Sequence, residues 1–246
     1  MRITHLFSFI VVLSLAGLAS TAQAQPASGY RWNVEFGLGF DNSISGNINS
    51  SGIGSLDNQT VVITKNRYED VYGTGLQLRF GGGYMLRDDT EARVTFTFQS
   101  LDADLTRMGD YGASNLYGQY SDYQTFGIDV GLRRYGGMSR AARLYGEGTI
   151  GLGFVDKTDV TLVAPAANQF RDANDFYDQT TAFSFGVNGG VLFETGARTG
   201  IFVQMGLRWV SGMSEIDDLE GTGLETINDN SARWTFPFLV GGRVRF

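Results

Sequence analysis

The chain has 246 residues, a formal net charge of −7, no cysteine, and 34 glycines against 3 prolines. The lack of cysteine excludes a disulfide framework and thiolate metal sites. The acidic balance offers no basic face for nucleic acid.

Arg2 and His5 open a short basic start, Phe7 to Leu18 is almost wholly apolar, and Ala22-Gln23-Ala24 supplies small residues at the cleavage positions. That layout predicts a secretory signal peptide over 1–24, cut before Gln25. Its apolar run falls short of the roughly 20 residues a membrane helix needs. After it, no run reaches the length of a membrane helix. If residues 25–246 enter a membrane they must do so as a closed barrel, because only helices and barrels satisfy every backbone group in lipid.

Eight segments then alternate with period two. The first runs Tyr30–Asp41, with Trp32, Val34, Phe36, Leu38 and Phe40 on one face. The second, from about Tyr72 to Leu86, presents Leu76, Leu78, Phe80 and Tyr84. The third shows Ala92, Val94, Phe96 and Phe98, and the fourth Phe126, Ile128, Val130 and Leu132. The fifth carries Leu144, Ile150, Leu152 and Phe154, the sixth Phe183, Phe185, Val187, Val191 and Phe193. Ile201, Val203, Met205, Leu207 and Trp209 mark the seventh, and Trp234 to Phe246 the last. Connections near 87–90, 136–141 and 194–199 are short, and those near 42–71, 100–122, 155–180 and 210–232 are long. Short turns on one side and long loops on the other suit an eight-stranded antiparallel up-and-down transmembrane β-barrel, with both termini periplasmic.

The apolar face carries no charge in any of the eight runs. A cation facing lipid at mid-depth costs about 2–4 kcal/mol, so a lipid-facing surface must exclude it. Trp32 and Tyr84 at one end, and Phe40, Tyr72, Phe154, Trp209 and Trp234 at the other, read as aromatic girdles at the two interfaces. The opposite face holds Glu35, Arg79, Arg93, Asp129, Arg133, Glu147, Arg208 and Arg243 among small residues, and reads as a lumen network. Glu35 falls beside Arg243 across the closing seam and Glu147 beside Arg133, so ion pairs are expected there. An eight-stranded interior is wide enough only to be filled by side chains, which predicts a plugged barrel. The alternative is a narrow channel, which the surplus of lumen arginines would bias toward anions.

The last strand, Trp234-Thr-Phe-Pro-Phe-Leu-Val-Gly-Gly-Arg-Val-Arg-Phe246, and the stretch Leu144–Phe154 carry a resemblance. By pattern, Tyr30 to Phe246 resembles the small outer-membrane β-barrel proteins, the group typified by the OmpA membrane domain and OmpX. The resemblance implies a place in the outer membrane of a Gram-negative bacterium, reached by secretory export, among lipid and lipopolysaccharide. It also implies that Phe236, Phe238, Val240, Val244 and Phe246 act as an assembly signal, delivered by periplasmic chaperones to the barrel-assembly machinery. Pro237 is an irregularity in a ladder without a free edge.

Chemistry is sparse. The only histidine, His5, leaves with the leader, and the resembling barrel enzymes rely on a catalytic histidine. No enzymatic activity, metal or cofactor is therefore expected. Glu215, Asp217, Asp218, Glu220 and Gly221 do not fit the spacing of a calcium loop. Tyr111, Tyr117, Tyr120 and Tyr123 in the second long loop read as strand extension and interface anchors, or as a patch for an external ligand. The expected role is structural, or one of surface interaction through four polar external loops.

Overall fold

The computed structural model describes residues 29–137, 139, 141–215 and 221–246, side chains of 173–175 excepted; the predicted leader and Asp217, Asp218 and Glu220 lie outside them. In chain order the elements are β1 (Trp32–Ser43), β2 (Asn47–Asn49), β3 (Gly52–Leu56), β4 (Gln59–Ile63), β5 (Asn66–Arg67), α1 (Tyr68–Val71), β6 (Gly75–Arg87), β7 (Thr90–Leu101), β8 (Thr106–Tyr111) and β9 (Ser114–Tyr120). There follow β10 (Tyr123–Gly137), β11 (Ala142–Val155), β12 (Thr158–Ala164), the 3-10 turn Pro165–Ala167, β13 (Gln169–Tyr177), β14 (Thr180–Glu194), β15 (Thr199–Val210) and β16 (Arg233–Arg245).

Eight of these strands close into an antiparallel barrel in the order β1-β16-β15-β14-β11-β10-β7-β6, with β6 pairing back to β1. The seam is pinned at its end by Trp32 N–H donating to Phe246 O at 3.1 Å and Phe246 N–H returning to Trp32 O at 2.9 Å. Each barrel strand spans 12 to 15 residues. That exceeds the roughly 9–11 a tilted strand needs to cross a bilayer, so the strands project beyond it. Pro237 faces Gly206 across the β15–β16 ladder, and the pairing lapses there, resuming at Arg208↔Thr235.

The long connections, expected from the sequence as polar external loops, are themselves folded. The first three fold into a six-stranded sheet, β13-β12-β9-β8-β4-β3, above the barrel. The fourth lies along its β3 edge, where Ser50 N–H donates to Ile227 O and Ser55 N–H to Thr222 O, both at 2.8 Å. Two tight hairpins organise this cap. Asp57 and Asn58 join β3 to β4 with both φ angles positive, 50° and 61°, the backbone that matches the twist of paired strands. Gly112, at φ 57°, opens the turn between β8 and β9. The cap has its own core, in which Ile48, Ile63, Val71, Met108, Val160, Leu224 and Ile227 are at most 1% exposed.

Tyr120 and Tyr123 belong to that core, each 2% exposed, and are neither interface anchors nor a ligand patch. Tyr111 is half-buried at its edge. Tyr72, assigned from the sequence to a girdle, is also inside at 3% exposure, because its chain has already turned into the cap before β6 begins at Gly75.

Candidate functional site

The outer wall of the barrel decides its environment. Phe36, Leu38, Phe80, Leu132, Ile150 and Val187 are 49–66% exposed on the outside, whereas Arg133 and Glu91 inside are 0% exposed. Water-soluble monomers do not present an apolar belt around their whole girth. A closed barrel of this polarity spans a membrane, and such barrels belong to the outer membrane of Gram-negative bacteria. Aromatic rings edge the belt. Trp32 packs on Tyr84 at 4.7 Å between ring centroids at the end carrying the termini. Toward the capped end Phe40 stacks on Phe238 at 5.2 Å, Phe126 meets Phe154 at 6.5 Å, and Phe185 lies 5.2 Å from Trp209 and 5.7 Å from Trp234. On β16, Phe236, Phe238, Val240 and Val244, and Phe246 just beyond its end, fall on the outer face, alternating with buried residues such as Thr235, Leu239 and Arg243.

Inside, at mid-barrel, three glutamates and four arginines converge. Glu35 accepts from Arg93 at 2.6 Å and from Arg133 at 2.7 Å, with Arg243 farther off at 3.5 Å. Glu147 accepts from Arg79 and Arg133, each at 2.7 Å, and Arg93 lies beside it as an ion pair at 3.2 Å. Glu91 accepts from Arg93 at 2.7 Å, from Arg243 at 2.9 Å and from the Tyr135 hydroxyl at 2.6 Å. The Tyr135 hydroxyl also accepts from Arg243. Arg133 lies over the Tyr145 ring at 4.0 Å, and the Tyr145 hydroxyl donates to Gln204 at 3.1 Å. Every glutamate thus faces at least two guanidinium groups, the arrangement that makes buried charge tolerable.

The predicted register pairs are present as neighbours: Glu35 stands opposite Arg243 and Glu147 opposite Arg133. The tightest contacts of Glu35 nevertheless come from β7 and β10. Small residues let these long side chains cross the lumen. A Cβ at Gly83 would overlap the Glu91 carboxylate, so that site needs glycine for close approach. Asp129 and Arg208 do not join the cluster; they pair at 3.2 Å nearer the cap, with Ser184 bridging them.

Glu91, which shares the inward parity of Arg93 in the sequence, completes the cluster. The apolar part of the filling escaped sequence reasoning. Leu192, Phe202 and Leu239, all at most 2% exposed, point inward and pack with Tyr135 and Tyr145. Their parity gave them away, since Phe202 alternates with Gln204 and Leu239 with Arg243. At the capped end Arg233, 2% exposed, stacks over Tyr123 at 4.1 Å and Tyr68 at 5.0 Å and donates to the Ser43 hydroxyl at 3.3 Å. That residue ties the last strand to the cap core. Asp41, 1% exposed, accepts from Thr235 at 3.1 Å just below.

No family model and no curated protein matches the chain. Among solved structures it is similar to Neisserial surface protein A, at 11% identity over 90% of this chain and 100% of that one, with a TM-score of 0.46. It is also similar to the outer membrane protein OprG from Pseudomonas aeruginosa, at 12% identity over 90% and 99% of the two chains and a TM-score of 0.43. The attachment invasion locus protein Ail of Yersinia pestis gives 12% identity over 88% and 99%, with a TM-score of 0.37.

Proposed function

We propose that this protein is a closed, non-conducting outer-membrane barrel whose work is to hold a rigid folded cap outside the cell, as a surface for envelope contacts or an external ligand. One observation carries the reading: the interior is filled at two levels. The arginine–glutamate cluster and its tyrosines occupy mid-barrel, and the aromatic cap core with Arg233 closes the external end. A folded sheet presents a fixed surface, which binds a partner without the ordering cost that loose loops incur. The alternating outer residues of β16 support the assembly-signal role proposed for Phe236, Phe238, Val240, Val244 and Phe246, with lipid and lipopolysaccharide around the finished barrel.

Planar-bilayer recording tests the closed lumen. The expected trace is flat, without steady openings in either polarity. A sustained anion-selective conductance would show that the cluster lines a pathway and does not block one.

A further inference from the structure

At the barrel end where the two termini meet, a cavity of about 370 Å³ opens below the ion cluster. Five arginines line it, Arg31, Arg87, Arg143, Arg243 and Arg245, with Asp88 the single acid in its wall. Two of the five are neutralised: Arg243 by Glu91 at 2.9 Å and Arg245 by Glu194 at 2.5 Å. Arg31, Arg87 and Arg143 have no carboxylate within 4 Å among the described residues. Arg143 is nonetheless held in place, donating to the Asp88 carbonyl at 3.3 Å and stacking over Tyr135 at 4.1 Å. Its Nε is buried without an acceptor in the protein, and so is the Nε of Arg243, a side chain only 3% exposed.

Three cations against Asp88 leave a surplus of two charges around one cavity. Like charges fixed this close repel unless an anion joins them. Forked guanidinium donors match the oxygens of phosphate better than a single ammonium would. The volume falls within the range of about 300–1,000 Å³ typical of small-molecule sites, more than a bare ion requires. The rim is also amphipathic: Leu86 lines it at 53% exposure, and Arg31 donates to Tyr84, whose ring packs on Trp32 at the edge of the lipid belt. We propose that this mouth is a binding site for a phosphate ester, carried either by a small soluble molecule or by the headgroup of an anionic phospholipid.

The mature protein in an uncharged detergent, titrated calorimetrically with glycerol 3-phosphate, tests the soluble source. Native mass spectrometry with phosphatidylglycerol against phosphatidylcholine tests the lipid source. The expected result is saturable binding of at least one phosphate probe, with phosphatidylglycerol retained over phosphatidylcholine if the source is lipid. R87Q/R143Q should weaken that binding by about tenfold or more, the effect of losing charge-assisted contacts. R31Q/R87Q, which alters two exposed side chains, should act in the same direction and guards against misfolding of the first variant. Absence of saturable binding by both probes, or binding unchanged in both variants, overturns the site. Neither result bears on whether the lumen conducts.

Discussion

Arg133 is the residue on which the interior turns. It bonds Glu35 and Glu147 at 2.7 Å each and stacks on Tyr145. Arg133→Gln removes the charge and leaves two buried glutamates short of a partner. Breaking a buried pair in this way costs about 3–5 kcal/mol. Urea unfolding of the refolded barrel in lipid should show that loss, and a loss below 1 kcal/mol would mean water reaches the cluster freely. Gly83 makes a companion test. Any side chain there displaces Glu91, so Gly83→Leu should destabilise the barrel or block its closure, read as loss of the heat-modifiable band on a gel. Why Glu35 selects Arg93 and Arg133 was not legible in the sequence. Register pairs it with Arg243, but the lumen is narrow enough for side chains from distant strands to arrive first.

At the level of elements, the barrel strands could be read off the chain and the cap could not. Lipid imposes a strict two-residue alternation on the eight barrel strands, and that pattern survives without any knowledge of tertiary contacts. The cap strands are short, two to nine residues, and their core is assembled from four connections far apart in sequence. Local signals were there: Asp57-Asn58 between two β-rich runs, and Val160, Leu162 and Ala164 alternating on one face. They are weak beside the strong polarity of the surrounding segments. Because the cap has its own core, it should fail separately from the barrel. Leu224→Ala removes a fully buried side chain from the fourth connection, a change worth about 2–5 kcal/mol. Limited proteolysis should then cut the cap while the barrel remains folded. Alkali should act similarly. Burial raises the phenol pKa of Tyr72, Tyr120 and Tyr177 above the ordinary value of 10.0. With the folded value above the unfolded one, their contribution is complete below about pH 10 and declines as pH rises beyond it. Tyrosinate absorbance should therefore lag that of the unfolded chain and rise together with cap unfolding; early, uncoupled titration would show the rings to be open to water.

For the whole molecule, the essential feature is its polarity. Hydrocarbon faces outward all round, while arginine and glutamate meet within. Val187, 66% exposed at the middle of β14, tests one point of that surface: Val187→Arg should cost about 2–4 kcal/mol in a bilayer. The three tryptophans test it more directly. Trp32, Trp209 and Trp234 all belong to the outer face, one at the end carrying the termini and two toward the cap. With the mature protein reconstituted into vesicles, fluorescence is measured against lipids brominated along the acyl chain and, separately, against acrylamide in the water phase. Strong quenching by bromines near the interface, with little by acrylamide, is the predicted result. Emission untouched by brominated lipid and readily quenched by acrylamide would place these rings in water and reverse the polarity on which the barrel's location rests.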